Sequence, residues 1–233
     1  MRRNDPDVFD ADGHGPPALT RDATRVVSVL GAMVTPERLA RIREVVARRT
    51  LRVTLLLEDI TDPHNTSAVL RSCDAFGVQR VHVVAGKRGF QAARAITKGA
   101  HRWLDVIRHD TGADAVRALQ AEGFVVLAAS MEGTVAPEKL GAMPKVAVVM
   151  GNEHRGPSPA TRAAVDGTFA IPMRGFSDSL NVSVAAAITL FAATSGHASE
   201  LSHDERERLV ARYLMHSIGD AEAILADAIS SEE

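Results

Sequence analysis

Polar side chains that could do chemistry concentrate in three short segments of this 233-residue sequence. The segments span 62–74, 151–156 and 171–187, and each adjoins an apolar stretch. Together they hold amides, hydroxyls, a carboxylate and a guanidinium, which are groups that bind and orient polar substrates. The candidate catalytic residues are Asn65, Arg71, Glu153, Ser179 and Asn181.

Each segment also permits a purely structural interpretation. In the first, Asn65 caps a helix and Arg71 pairs with Asp74 at i,i+3. The second is an ordinary strand-to-helix loop. In the third, capping explains Ser179 but not the whole cluster of small polar residues before an alanine-rich helix. A helix start with free N–H groups and hydroxyls is a natural site for a polar ligand.

The signatures of several other enzyme classes are missing from the sequence. There is no dinucleotide-binding glycine motif, Walker loop, paired zinc histidines or nucleophile elbow. The nine histidines and one cysteine show no metal-ligand spacing, so we expect no metal. Cys73 lies mid-helix among Ala and Leu, which is typical of a small buried residue. A hydrolase using Ser177 or Ser179 with a histidine stays open, although no elbow supports it.

Alternating β and α patterns must position the three segments. Strands separated by helices indicate an α/β fold with a mostly parallel sheet flanked by helices. The polar segments follow strands, where open α/β sheets bind their ligands. We predict strands at 53–58, 80–84, 124–129, 145–150 and 168–171, and helices at 67–76, 113–120, 159–165, 180–194 and 204–215.

The net charge of −2 conceals an uneven distribution. Residues 37–52 hold six arginines against two glutamates, mostly on the outer face of an amphipathic helix that begins at Thr35. Residues 79–108 hold seven Lys or Arg against Asp105, whereas residues from 204 onward hold eight acids against three arginines. Because a polyanion responds to the local field, the basic segments can bind nucleic-acid phosphates. Simple solvated faces are the alternative.

Composition favours a soluble, cytoplasmic protein. The chain is 45% hydrophobic and 24% charged, as a globular protein needs. Its single cysteine excludes an intrachain disulfide and favours a reducing compartment. No apolar run reaches the length of a membrane span, and the N-terminus lacks the apolar block of a signal peptide.

The three segments, in this order, resemble the three motifs of the SpoU/TrmH family of SPOUT RNA methyltransferases. The resemblance implies a SPOUT fold, in which the C-terminal part of the chain forms a deep trefoil knot. It runs from about residue 38 to about 193. The runs that carry it are Leu55-Leu56-Leu57-Glu58, Pro63-His64-Asn65, Leu70-Arg71, Gly151 with Glu153, Ile171-Pro172-Met173 and Ser179-Leu-Asn-Val-Ser-Val-Ala-Ala186.

The resemblance also implies the methyl donor, the assembly and the domain boundaries. The donor is S-adenosyl-L-methionine, and the working form is a homodimer in which the first motif of one subunit approaches the donor of the other. We expect a flexible lead-in at 1–34, a basic helix at 35–52, a SPOUT methyltransferase domain at 53–198, and a C-terminal helix with a weakly structured acidic tail at 199–233. The implied donor-binding residues are Met150, Gly151, Ile171, Met173, Leu180 and Asn181.

The implied substrate is a ribose 2′-hydroxyl of tRNA. The arginine-rich helix before the first strand and the helix after the third motif resemble those of the tRNA guanosine-2′-O-methyltransferases. This resemblance implies that the target is the D-loop guanosine at position 18. Methylation of ribosomal RNA, a small-molecule methyltransferase and a non-catalytic RNA-binding homologue are the alternatives. The expected RNA contacts are Arg38, Arg41, Arg48, Arg49, Arg52, His64, Lys87 and Arg88, with Arg94 and Lys98 as secondary phosphate contacts.

Arg71 carries the mechanistic hypothesis. In the family it is proposed as the general base, but a guanidinium is nearly always charged. We therefore expect a cation that holds the adjacent phosphate and the 2′-oxygen in line, with Asn65 orienting either Arg71 or the ribose and with Glu153 and Ser179 shaping the pocket.

Overall fold

The computed structural model describes residues 22–84 and 100–230, and in this part of the chain six strands form one parallel sheet in the order β3-β2-β1-β5-β4-β6. The prediction of a parallel α/β sheet is confirmed. The strands are β1 (Val53–Glu58), β2 (Arg80–Val84), β3 (Asp105–His109), β4 (Val125–Ala129), β5 (Val146–Met150) and β6 (Gly167–Phe169).

Helices cover both faces of the sheet, which is why β1 and β5 are buried along their whole length. On one face α3 and α6 pack against each other, and on the other α4 packs against α5. The described helices are α1 (Ala23–Gly31), α2 (Pro36–Val46), α3 (Pro63–Ala75), α4 (Gly112–Ala121), α5 (Pro159–Ala164), α6 (Val182–Thr194), α7 (His203–Ser217) and α8 (Ala221–Ser230).

The central strands β1 and β5 lie side by side, paired from Val53 with Val146 to Leu57 with Met150. The chain leaving β1 enters α3 on one face, whereas the chain leaving β5 leads to α5 on the other. The connections therefore diverge at the carboxyl ends of these two strands. Such a crevice is the usual ligand site of an open α/β sheet.

Several predicted boundaries shift for local reasons. Helix α3 begins at Pro63 rather than residue 67, because the Asp62 side chain accepts from the His64 N–H and proline suits the first turn. Helix α6 begins at Val182 rather than residue 180, because Asn181 is its N-cap. Strand β3 was not predicted from the sequence; it is an edge strand in which only Val106 is buried.

Residues Leu51–His197 form one compact unit, and the described residues of 17–50 and 198–233 form a second, helical unit. In the helical unit α1 and α2 pack against α7, and α1 also packs against α8. The expected flexible lead-in is wrong for α1, which is capped by Asp22 and buries Val26 and Leu30. The expected weakly structured tail is likewise wrong for α8, which buries Ala221 and Leu225.

Candidate functional site

The first polar segment is the start of α3. Asn65 lies half-buried in its first turn and is not the cap, which is Asp62. His64 and Arg71 are both exposed and lie seven residues apart, so they share the outer face of the helix. Arg71 is about 9 Å further along the axis than Asn65 and about a third of a turn around it. Among the described residues no hydrogen bond or ion pair of the Arg71 guanidinium is present.

The second segment is the loop that follows β5, and its Glu153 binds back to the first segment. The carboxylate accepts from the Thr61 N–H at 3.2 Å, from the Thr61 hydroxyl at 3.0 Å and from the Asp62 N–H at 3.3 Å. It also accepts from Nδ2 of Asn65 at 3.0 Å. The loop after β5 and the loop after β1 are therefore joined at the crevice between these strands.

The third segment joins the same cluster through Asn181. Its Nδ2 donates to Oδ1 of Asn65 at 3.0 Å, and its Oδ1 accepts from the Ser183 N–H at 2.8 Å and the Ser183 hydroxyl at 2.6 Å. The structure thus brings together three of the five predicted catalytic residues, one from each segment: Asn65, Glu153 and Asn181.

These contacts form a hydrogen-bond chain with one direction. Partial burial raises the pKa of Glu153, but hydrogen bonds from Asn65, from its own backbone and from Thr61 outweigh it and lower that pKa to about 2. Because the ionised carboxylate accepts only, Nδ2 of Asn65 must face it, and Oδ1 of Asn65 must face Asn181. Donors therefore point from Ser183 through both amides to Glu153. A carboxyl with this pKa is ionised near neutrality and is a weak base.

Two residues that support the second segment escaped sequence reasoning. Asn152 is buried, its Nδ2 donates to the Asp59 carbonyl at 2.9 Å, and its Oδ1 accepts from the N–H groups of His154 and Arg155. Asp59 adopts a φ of 53°, which is unusual for a non-glycine residue, and its Oδ2 accepts from Arg155 at 2.9 Å. Asn152 precedes Glu153 directly in sequence. Its hydrogen bonds within the loop give it a structural role, whereas Glu153 contacts Asn65 of the site.

Glu58 is the second support that was missed. It is buried at the end of β1, accepting the Thr161 hydroxyl at 2.7 Å and the Ser158 N–H at 2.9 Å. A Cβ at Gly112 would lie 2.4 Å from its Oε1, so that glycine is required for space. Glu58 thus fixes the far end of the loop that carries Glu153. A charged residue ending an apolar strand was the available signal.

The predicted donor-binding residues lie at the carboxyl end of β5 and in the chain between β6 and α6. Met150 belongs to the core, and Ile171 and Val182 pack against the same cluster. Gly151 is needed for a close approach, because a Cβ there would lie 2.0 Å from the Pro157 nitrogen. The predicted partner of this glycine was a ligand, whereas the neighbour in the structure is the chain itself. Leu180 is half-buried and Met173 exposed.

Two predicted catalytic residues stand outside the hydrogen-bond chain. Arg71 lies on the outer face of α3, as described above, and Ser179 is exposed two residues before the cap of α6. Ser179 does not cap that helix, contrary to the structural interpretation.

The predicted RNA-binding arginines divide into two groups. Arg38, Arg41 and Arg48 are exposed in the helical unit. Arg49 is wrong as a surface contact, because it is only 1% exposed and its Nε donates to the Tyr213 hydroxyl at 2.9 Å, with the guanidinium over that ring. Arg52 is also tied down, donating to the carbonyls of Met143 and Ala193.

The remaining expected RNA contacts fall elsewhere. His64 is exposed beside the site. Lys87, Arg88, Arg94 and Lys98 lie outside the described residues.

No helix within residues 22–84 and 100–230 is long and apolar enough to cross a membrane. No group of three or more His, Cys, Asp or Glu side chains there could hold a metal ion.

Comparison with known proteins identifies the family. Residues 52–191 match the model of the SpoU rRNA Methylase family. A tRNA (guanosine(18)-2′-O)-methyltransferase of Thermus thermophilus is 39% identical over 160 residues, which are 68% of this chain and 82% of the relative. The crystal structure of the TrmH/SpoU tRNA modifying enzyme of A. aeolicus superimposes with a TM-score of 0.71 and 28% identity, covering 79% of this chain and 98% of that one.

A third relative was solved with a bound methyl donor. The SpoU methyltransferase AviRb from Streptomyces viridochromogenes, in complex with the cofactor AdoMet, superimposes with a TM-score of 0.53 and 26% identity. The match covers 65% of this chain and 62% of that one. The model match extends over more than half of the sequence and includes all three polar segments. This chain therefore belongs to the SpoU rRNA methylase family.

Proposed function

We propose that this protein is an S-adenosyl-L-methionine-dependent tRNA (guanosine-2′-O-)-methyltransferase that acts on the guanosine at position 18. The observation that carries the proposal is the directed chain from Asn181 through Asn65 to Glu153, which joins one residue of each family motif. The substrate is inferred from the Thermus thermophilus relative, which is named for that reaction.

The donor would bind between the end of β5 and the segment before α6. Met150, Ile171 and Leu180 offer apolar side chains, and the chain at Gly151 and Met173 offers backbone N–H and C=O groups. These groups suit a ligand that has an apolar purine face and polar edges. Asn181 would contact it from the cap of α6. The fit rests on the chemistry of these residues and on the AdoMet complex of the related AviRb.

The chain's own residues would bind and align the ribose rather than remove its proton. The donor supplies an electrophilic methyl carbon on a sulfonium sulfur. Glu153 is ionised but has too low a pKa to serve as an effective base, so we assign it to holding Asn65 in one orientation. Arg71 remains a cation, which would hold an adjacent phosphate and the 2′-oxygen in line with the methyl carbon. The proton would leave late, to water or a phosphate oxygen. Ser179 would line the pocket.

We also propose a homodimer. Helix α6 presents an apolar stripe at helical spacing: Val184, Ile188 and Phe191 are 46%, 36% and 61% exposed. Such a stripe suits burial against a second copy. Because Arg71 is exposed on α3 and takes no part in the hydrogen bonds of Asn65 in its own chain, we assign it to the donor bound by the partner subunit.

The knot and the RNA surface complete the proposal. The chain after β6 would pass through the loop before β5 to form the deep trefoil knot of the SPOUT fold. Exposed Arg38, Arg41 and Arg48, together with His64, would contact RNA phosphates. We place the enzyme in the cytoplasm, consistent with its single, buried cysteine.

One assay tests the proposal. Purified protein, radiolabelled S-adenosyl-L-methionine and an unmodified tRNA transcript should yield labelled 2′-O-methylguanosine, and nuclease mapping should locate it at position 18. A transcript with 2′-deoxyguanosine at that position is the matched control and should take no label. Label on a base of the tRNA would refute the proposal. So would a lack of label on the tRNA, whether or not ribosomal RNA offered in a parallel reaction is labelled.

A further inference from the structure

The segment between β6 and α6 has an exposed stretch of which the proposed site uses only Met173 and Ser179. Eight consecutive residues, 172–179, are exposed and belong to no helix or strand; we call them the exposed loop. At its centre the Phe176 side chain is fully exposed, at 108%. Arg174 precedes it and Asp178 follows it. Full exposure leaves both apolar faces of this ring in water, where they are available to a binding partner.

The position of the exposed loop limits what that partner is. Phe176 lies five residues before Asn181, so the two are at most about 17 Å apart along the chain. Asn181 is held to Asn65 by a 3.0 Å hydrogen bond, which fixes that end of the loop at the proposed site. A nucleotide whose ribose reached this site would therefore bring its own base, or a neighbouring one, within range of the ring.

The surroundings of Phe176 differ from the apolar stripe of α6. No Lys, Arg, Asp or Glu occurs from residue 179 to 199, which is the composition of a protein–protein contact. The exposed loop instead sets its single aromatic ring beside an exposed Arg174, with open space around Gly175. Aromatic rings and guanidinium groups are the side chains on which unstacked RNA bases stack.

We propose that Phe176 stacks on a nucleobase of the RNA substrate at or next to the methylated nucleotide, while Arg174 contacts a flanking phosphate. This inference rests on the proposed function, since it takes the RNA as ligand. It assigns Phe176 and Arg174 a role in substrate binding that is separate from holding the donor. Stacking of this kind is sequence-tolerant, so the loop strengthens binding and splays the target out rather than reading its identity.

The substitution series separates stacking from other apolar contacts. Phe176→Ala and Phe176→Leu should both weaken tRNA binding about 5- to 100-fold, whereas Phe176→Tyr should retain it, because an aromatic face is required. Circular dichroism and donor affinity should be unchanged in all three. Arg174→Gln should weaken binding and flatten its salt dependence. If Leu binds tRNA as well as Phe, the contact is apolar packing and the proposal is wrong.

A matched aromatic control is available on α6. Phe191 is also exposed, but it lies on the apolar stripe and packs edge-on against Phe76, with the ring centroids 6.2 Å apart. Phe191→Ala should lower the molar mass in sedimentation, and Phe176→Ala should not. If Phe176→Ala dissociates the dimer, the ring belongs to the interface between copies; if it lowers donor affinity instead, the ring belongs to the donor pocket. Either result overturns the proposal.

A spectroscopic measurement reports the stack directly. The chain has one tryptophan, so Trp103→Phe with Phe176→Trp places the only indole in the exposed loop. Unmodified tRNA should quench its fluorescence in saturable fashion, and a tRNA with an abasic residue at the target and its neighbours should bind with much less quenching. Equal quenching by the two RNAs would refute stacking. Binding and quenching are measured without methyl transfer. A failure of the stacking proposal can therefore be distinguished from a failure of the proposed function, which would appear as a lack of methyl transfer by the wild-type enzyme.

Discussion

The side chain of Asn65 donates from Nδ2 to Oε1 of Glu153 at 3.0 Å, and this contact joins the first polar segment to the second. On its other side Asn65 accepts from Asn181, so one amide connects all three segments. The geometry depends on the ionised Glu153, because a neutral partner could donate as well as accept and would allow the chain to reverse.

Exchanging the partners of this contact tests the chain. Asn65→Asp should lower the kcat of methyl transfer about 10- to 100-fold, because it places a second carboxylate beside Glu153 and removes a charge-assisted hydrogen bond. The double variant Asn65→Asp with Glu153→Gln restores a donor facing an acceptor and should recover part of the loss. Steady-state kinetics of both variants provide the measurement. If the effects of the two substitutions on kcat simply add in the double variant, the coupling between Asn65 and Glu153 is contradicted.

The role of Glu153 predicts a particular pH dependence. Since its pKa is about 2, Glu153 stays ionised above pH 5, and Glu153→Gln should slow transfer by the same factor at every pH from 5.5 to 9. A rate loss confined to higher pH would mean that Glu153 is the base.

The lowered pKa of Glu153 also affects the stability of the fold. It adds free energy of unfolding that is fully present above the unfolded-state pKa of 4.5 and is lost as the pH falls toward 2. Urea unfolding should reveal that slope in the wild type and less of it in the variant.

Arg71 is expected to act as a fixed cation. Arg71→Ala should reduce kcat about 100- to 1,000-fold with donor affinity unchanged, and added guanidinium ion should restore part of the rate. Arg71→Lys keeps the charge but not the planar guanidinium, so its kcat should lie between those of the wild type and Arg71→Ala. Replacing the guanidinium by an analogue of lower pKa decides the mechanism. Faster transfer with that analogue would support a general base and contradict this assignment.

The arginines of the helical unit should differ according to burial. Arg41 and Arg48 both pair with Glu44, whose pKa is lowered by the Arg41 hydrogen bond and by both charges. Glu44→Gln should therefore strengthen tRNA binding in low salt, and Arg48→Gln should weaken it and reduce the salt slope by about one. As control, Arg49→Ala should lower the melting temperature with little change in that slope, because Arg49 packs on Tyr213. Equal salt slopes for all variants would refute this surface.

A buried histidine predicts acid sensitivity away from the site. Burial, together with His109 and Arg80, lowers the pKa of His82 from 6.5 to about 3, and its Nδ1 lies 2.8 Å from Nε2 of His109. As the pH falls below 6.5 the unfolded chain binds a proton that the native state refuses, so stability declines until about pH 3. Denaturant unfolding between pH 7 and 5 should reveal this decline. The prediction fails if His82→Leu has an equally steep dependence.

Apolar patterns predicted the sheet well because they record burial directly. The continuous runs of β1 and β5 are buried on both faces, and their ends lie where the polar segments were expected to meet. β3 was missed because this edge strand has only two apolar residues, Val106 and Ile107, between polar ones and so lacks a continuous apolar run. The helices α1 and α8 were missed because few apolar residues fix each one, and their packing partners lie in distant sequence.

Side-chain types predicted which residues form the site but not how each is used. Asn65 and Arg71 lie six residues apart on one helix, and helical geometry places them on different faces, so only Asn65 joins the hydrogen-bond chain. Arg49 and Arg48 are neighbours of equal charge, and burial against Tyr213 alone separates them. Glu58 and Asn152 support the loop through contacts that spacing does not reveal.

The central claim is that three distant segments converge to hold a methyl donor beside a cation that positions ribose. A crystal structure of the protein with S-adenosyl-L-methionine, or with a non-transferring analogue, tests it most directly. We predict the donor between Met150, Ile171 and Leu180, near Asn181, with Arg71 of the partner subunit facing the methyl group. A donor bound elsewhere, or an Arg71 turned away from it in both subunits, would contradict the account.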